Sequence, residues 1–383
     1  MNSRFSFSHP IAGFIAVLVG YTSSVAIVFQ AAHALGATPE QLSSWLLVLG
    51  LGMGVTCIGL AWYFKTPVLT AWSTPGAALL VTSVDGITMP EAIGAFLVSS
   101  GLIALCGLMG WFDALTRHIP RSLAAAMLAG VLLKFGLDVF VSMQTQLLLV
   151  SVMAVVYFIG KRWFPRYAIV ACLGVGLLVA ALQDLIVVEQ LQWQISTPEL
   201  VLPQFSLGAI IGVGLPLFIV TMASQNVPGL AVLRANGYQT PVSPLITTTG
   251  VTGMLLAPFG GFAFNLAAIT AAICMSPDAD PDPKRRYWAS IWAGGFYCLT
   301  GIFGATVVAL FAALPTALIR AIAGLALLAT IGNAMTGALH EEQGRDAALV
   351  TFLVTASGLS LFGVGSAFWG LLFGLIVLRA MQK

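Results

Sequence analysis

Three stretches of the chain carry residues whose types and spacing suit ligand chemistry. The first, Val68 to Gly76, ends in Ser73-Thr74-Pro75-Gly76; the second, Gly260-Gly261-Phe262-Ala263-Phe264-Asn265-Leu266, continues to Met275. Thr74 followed by Pro75 reads as an N-cap with proline at the first helical position, and Asn265 can serve as the N-cap of the second. Each stretch thus reads as extended chain that starts a helix in mid-crossing. Two such helix starts aim free N–H groups and positive dipole ends at one place, which favours an anion or a neutral solute rich in acceptors. Ser73, Thr74, Gly76 and Asn265 are therefore candidate ligand contacts, with helix capping as the competing role. The third stretch, Thr221-Met222-Ala223-Ser224-Gln225-Asn226, is a polar run in an otherwise apolar helix. Polar groups at membrane depth usually face protein, so Ser224, Gln225 and Asn226 read as a substrate-facing wall or as interhelical hydrogen-bonding groups. Trp72, Phe262 and Phe264 offer rings for a planar ligand. Alternation puts Phe262 and Phe264 on one face, so at most one of them, with Phe264 as the candidate, would touch a small solute; core packing is the competing role.

Other chemistry lacks its residues. All Asp and Glu lie at segment ends or in loops, so no central carboxylate stands out as a proton carrier. No HExxH, GxSxG, Walker A or GxGxxG context occurs, and the loops are too short for a nucleotide domain, which argues against an enzyme and against a cofactor or nucleic-acid partner. The five cysteines sit singly in apolar stretches without ligand spacing and read as packing residues. Asp278 to Arg286 looks superficially like a metal loop, but it lacks a full ligand set and reads as a solvated turn; no metal site is expected.

The elements that must hold these residues are membrane helices. Of 383 residues, 59% are hydrophobic and 8% charged, against about 25% charged in a soluble domain. Apolar segments near 11–32, 42–62, 68–84, 92–111, 123–137, 147–159, 168–188, 207–233, 245–257, 262–275, 287–313, 317–336, 347–361 and 367–378 predict an all-α polytopic membrane protein with fourteen crossings. Segments 3 and 10 are the strand-plus-half-helix pair. A helix over Pro75–Val84 covers roughly 15 Å and six extended residues about 20 Å, so only the two joined span a core of about 30 Å. With both termini cytoplasmic, fourteen of the sixteen Lys and Arg fall inside, all but Lys134 and Arg320. Met1 to Pro10 reads as a short cytoplasmic lead rather than a signal peptide. Seven segments precede the loop 183–204 and seven follow it, which predicts inverted repeats over 1–190 and 205–383.

The run Thr221-Met222-Ala223-Ser224-Gln225-Asn226-Val227-Pro228-Gly229, together with Pro258-Phe259-Gly260-Gly261-Phe262-Ala263-Phe264-Asn265, resembles the benzoate/proton symporter family of BenE type. That family looks like a branch of the superfamily containing the uracil permease UraA and the nucleobase/ascorbate transporters. The resemblance implies a 7+7 inverted-repeat fold in an inner (plasma) membrane. Its core domain would be about 11–111 and 205–313, its gate domain about 120–190 and 315–383, with substrate between segments 3, 8 and 10. It also implies proton-coupled symport of benzoate or a related aromatic carboxylate, with lipid around the chain; a homodimer is compatible with it. Nucleobase members carry acidic residues in segments 8 and 10, where this chain has Gln225, Asn226 and Asn265. A nucleobase permease or other small-anion transporter is the alternative.

Overall fold

The computed structural model describes residues 7–112, 120–187, 193–342, 344–362 and 366–381. Arg4, Arg117 and Lys383, three of the cations counted inside, lie outside the described residues. Each of the fourteen apolar segments carries a helix. Among the described residues, seven helices are long and apolar enough to cross a membrane, and an eighth crossing arises if a pair bent by 65° counts as one. The chain is therefore a multi-pass membrane protein.

Helix α1 (Ser8–Ala34) leads into α2 (Pro39–Phe64), whose start is a capping box: the Gln41 N–H donates to Thr38 Oγ1 at 3.2 Å and the Thr38 N–H to Gln41 Oε1 at 3.1 Å. Strand β1 (Thr70–Trp72) runs into the short α3 (Thr74–Ser83), and α4 (Met89–Leu108) follows. Next come α5 (Arg121–Ser142), α6 (Leu147–Trp163) and α7 (Ala168–Leu182). Then α8 (Leu207–Arg234) and α9 (Val242–Leu256) lead to strand β2 (Phe264–Leu266) and the short α10 (Ile269–Met275). The expected single segment 287–313 is two helices, α11 (Tyr287–Ile302) and α12 (Gly304–Ala313), bent by 65° at their junction. Helices α13 (Thr316–Leu339), α14 (Arg345–Ala356) and α15 (Ser366–Met381) complete the chain.

Helix α2 packs on α11, α4 on α9, and α5 on α13, α14 and α15. Glycines let the first two pairs approach closely: a Cβ on Gly50 would meet the Gly301 backbone, and one on Gly250 the Ala104 backbone. Strands β1 and β2 pair antiparallel, with Thr70 opposite Leu266, Ala71 opposite Asn265 and Trp72 opposite Phe264. Beside them Trp45, Phe96 and Phe262 form an aromatic cluster with ring centroids 5.6–5.7 Å apart.

The loop from Asp278 to Arg286 is solvated only in part: Asp278 and residues 281–284 are exposed, while two of its charged residues are buried. Asp280 is 4% and Arg286 8% exposed. His9 at the start of α1 meets Asp280 Oδ2 through Nε2 at 2.7 Å, while Arg286 donates to the carbonyls of Asp280 at 2.8 Å and Met275 at 2.7 Å. Arg286 thereby caps the carbonyl end of α10, where a cation also complements the helix dipole. Burial opposes ionisation of Asp280, but the Asp282 N–H, His9 and Arg285 outweigh it and hold the carboxyl below the usual carboxylate range.

Candidate functional site

A two-stranded ribbon at membrane depth has outward N–H groups with neither a third strand nor water to accept them. Here other elements supply the acceptors. On the β1 edge, the Thr70 N–H donates to Cys57 Sγ at 3.1 Å and the Trp72 N–H to Met53 Sδ at 3.2 Å, both from α2. On the β2 edge, the Leu266 N–H donates to Asn226 Oδ1 of α8 at 2.9 Å. The ribbon is extended at both ends by Ser73 N–H to Ala263 O at 3.1 Å and Ala267 N–H to Leu69 O at 2.9 Å. Ala263 sits in the left-handed region at φ 44°, a strained conformation for an L-residue, and the Asn265 amide donates to its carbonyl at 3.0 Å.

The helix starts differ from expectation by a few residues, and the difference reassigns roles. The N-cap of α3 is Ser73, not Thr74: Ser73 Oγ accepts from the Gly76 N–H at 3.0 Å. With Pro75 lacking an N–H and Ala77 N–H bonded to Ser73 O at 2.8 Å, Thr74 keeps the one uncommitted first-turn donor. Asn265 is not an N-cap. It lies in mid-strand, fully buried, and α10 begins four residues later at Ile269 with no side-chain cap.

Helix α8 is interrupted by two wide π-turns, Ile210–Gly214 and Met222–Asn226. Each lies just ahead of a proline, Pro216 and Pro228. A proline cannot donate to the carbonyl four residues back, and the widened turn absorbs that missing bond. Along the second π-turn consecutive residues face different sides, as they do along any helix. Asn226 is buried and clips β2, with its amide donating to Met222 Sδ at 3.3 Å. Gln225 lines a cavity, half-buried, and no hydrogen bond within the described residues holds its amide.

That cavity, about 730 Å³, lies where the two half-helix starts meet. Its size falls in the range of small-molecule sites, roughly 300–1,000 Å³. One side is built from α1, the ribbon, the starts of α3 and α10, and α8; the other from α5 and α13. Of the residues singled out from sequence, Thr74, Ser224 and Gln225 line it, as does Trp72. Ser73, Gly76, Asn226, Phe264 and Asn265 do not. They stand behind the wall: Ser73 caps α3, Gly76 lies against Leu217 and Ser73, and Asn226 and Asn265 hold the ribbon. Phe264 is turned away and wedged against Gly52 of α2 and Gly253 of α9. Ser224 bonds back to the Val220 carbonyl within its own helix.

Sequence reading missed several lining residues. Thr270, Thr330 and Asn333 add hydroxyl and amide groups, Tyr297 a phenol, and Arg121 a cation. Arg121 was legible only as a loop charge. The spacing of Arg121, Ala124, Ala125 and Leu128, one stripe of a helix, is the signal that puts it on a common face. Pro216 and Pro228 inside an apolar helix were likewise a readable sign of a broken hydrogen-bond ladder. Trp72 is oriented by its indole N–H, which donates to Ser24 Oγ at 2.9 Å, and by an edge contact with Tyr21 at 5.3 Å between centroids.

A family model described as BenE, benzoate membrane transport protein, matches residues 3–380. The inner membrane protein YdcO of Escherichia coli is 52% identical over 364 residues, covering 95% of this chain and 93% of that protein. A benzoate membrane transport protein of Acinetobacter baylyi is 41% identical over 383 residues, covering 100% and 97%. Among solved structures, the transmembrane domain of the cyanobacterial bicarbonate transporter BicA superposes with a TM-score of 0.64 at 12% identity, covering 98% of both chains. The murine anion transporter Slc26a9 in its inward-facing state gives 0.61 at 12% identity, covering 100% of this chain and 70% of that one. The fold is therefore shared with bicarbonate and anion transporters of that kind, and these structures do not place it specifically with the uracil permease group. The matched family and fold neighbours are membrane transporters, not enzymes.

Proposed function

This chain belongs to the family of benzoate membrane transport proteins, and we propose that it is a secondary active transporter that imports benzoate or a related aromatic carboxylate with protons across an inner membrane. The observation that carries this reading is the cavity at the meeting point of the α3 and α10 starts. Thr74 and Thr270 line it in the first turns of α3 and α10, Gln225 adds an uncommitted amide, and Trp72 a ring. A carboxylate suits the donors, since helix N-termini and charge-assisted hydrogen bonds favour anions. An aromatic ring suits the rest of the wall, which is largely apolar.

We read the architecture as fourteen spans in two inverted repeats. Exchanging segments n and n+7 converts the α4–α9 pairing into α11–α2, and maps the β1–β2 and α5–α13 pairings onto themselves, as a two-fold relation requires. In this reading the ribbon, half-helices and α1, α2, α4, α8, α9 and α11 move as a core against a gate built on α5 and α13. The cavity reaches Arg121, on the side that collects the loop cations, and we read it as opening to the cytoplasm, with both termini there. No Asp, Glu or His lines the cavity among the described residues, and we assign the co-transported proton to no lining side chain. The test is uptake of labelled benzoate into proteoliposomes with and without an inward proton gradient. Saturable uptake that rises with the gradient is expected. Absence of saturable uptake removes the substrate, and indifference to the gradient removes the coupling. A second reading, transport of a small inorganic anion, draws on the fold neighbours and predicts competition by bicarbonate or sulfate.

A further inference from the structure

Arg121 is the one charged residue among the described residues that line the cavity. It is the first residue of α5, exposed, and makes no ion pair within the described residues. Two observations argue that it is more than a topological anchor. It heads the stripe Arg121, Ala124, Ala125, Leu128 that forms the α5 wall of the cavity, and the two alanines leave room for a ligand to approach the helix. It also stands in the first turn of a helix with no acidic residue there and no side-chain cap, where the dipole disfavours a cation. A residue that breaks a local preference without a local partner is expected at a functional position. Thr330 and Asn333, one turn apart on α13, line the wall beside α5 and supply neutral polar groups.

We propose that Arg121 is the specificity-determining cation of the transport cavity. It takes carboxylates on the gate wall opposite the half-helix starts and selects them over neutral ring compounds of the same shape. This rests on the reading of the chain as a carboxylate transporter. The core wall contributes only partial charges from helix ends, roughly half an elementary charge each. Arg121 contributes a full charge in a planar fork that matches a carboxylate. Because its head is exposed, its pull is screened by salt, so the selection is ionic-strength dependent.

The experiment compares wild type, Arg121→Gln and Arg121→Lys, purified in detergent, for binding of benzoate, of its neutral isostere benzamide, and of a panel of other carboxylates, at low and high salt. Benzoate affinity is expected to fall about tenfold in Arg121→Gln, with loss of its salt dependence. Arg121→Lys should keep the salt dependence, and benzamide should bind all three alike. Equal losses for benzoate and benzamide would mean a structural role and overturn the proposal. So would an Arg121→Gln protein with wild-type benzoate affinity and salt dependence. If the wild type binds no carboxylate of the panel, the transport reading falls and the assignment with it. If the wild type binds and Arg121→Gln is unchanged, the assignment alone falls.

Discussion

Asn226 and Gln225 are neighbours in sequence with separate tasks, and substituting each in turn tests the whole account of the site. Asn226 Oδ1 is the acceptor of the Leu266 N–H, and both residues are fully buried. Asn226→Ala leaves that donor unpaired at membrane depth, which costs about 1–3 kcal/mol. With an unfolding entropy of about 2.1 cal/mol/K per residue, and the chain taken as one cooperative unit, this lowers Tm by roughly 1–4 °C. The effect reaches the site because Leu266 precedes Ala267–Thr270, which line the cavity and begin α10. A relaxed β2 edge displaces that half-helix start, so benzoate affinity should also fall. Gln225→Ala removes only an uncommitted amide on the wall, so affinity should fall while Tm stays within about 1 °C. Asn226→Asp keeps an acceptor, in neutral protonated form when buried, and should recover part of the lost stability. The measurements are thermal unfolding in detergent and benzoate binding on the same samples. Asn226→Ala with wild-type Tm would refute the clip, and Gln225→Ala with wild-type affinity would return that residue to packing.

Gly260 turns the chain into the ribbon at φ 95°, and a Cβ there would overlap the Trp45 indole. Gly260→Ala should therefore lower Tm severely and cut the yield of monodisperse protein, because both the left-handed backbone and the aromatic cluster oppose it; normal melting would contradict that packing. Ser73→Ala removes the α3 cap and should cost about 0.5–2 kcal/mol, read as a lower Tm that Ser73→Asn or Ser73→Thr restores. The Asp280 latch has a defined pH window. Since the folded protein holds this carboxyl low, its contribution is complete above the ordinary carboxylate range and is lost only as pH falls through the lowered value. Melting curves of wild type and Asp280→Asn should thus differ at neutral pH and draw together only as pH falls below about 4. A constant gap down to pH 3 would show that the charge of Asp280 contributes nothing.

Much of this protein was legible in one dimension because a bilayer imposes one-dimensional rules. A crossing needs a run of apolar residues, and each of the fourteen runs carries a helix. Pro75 and the glycine-rich stretch before Asn265 marked two of the breaks, because proline and unpaired backbone are costly in lipid wherever they fall; the breaks ahead of Pro216 and Pro228 went unread. Which polar groups face the cavity was not legible, because that depends on rotation about helix and strand axes set by distant partners. Ser73 and Thr74 are equally good caps by type, and only the start of α3 decides between them. Asn265 resembles an N-cap, yet pairing of residue 265 with Ala71 keeps it in a strand and delays α10 to Ile269. Gln225 and Asn226 are adjacent, and successive helix residues point roughly 100° apart, so the rotation fixed by the neighbouring elements sends one to the cavity and the other to the Leu266 N–H. Arg121 counted in the sequence as one positive loop charge among many. The packing of α5 on α13 made it the cation of the cavity wall, since a side chain's surroundings are fixed by which helices meet and not by the residues beside it in the chain.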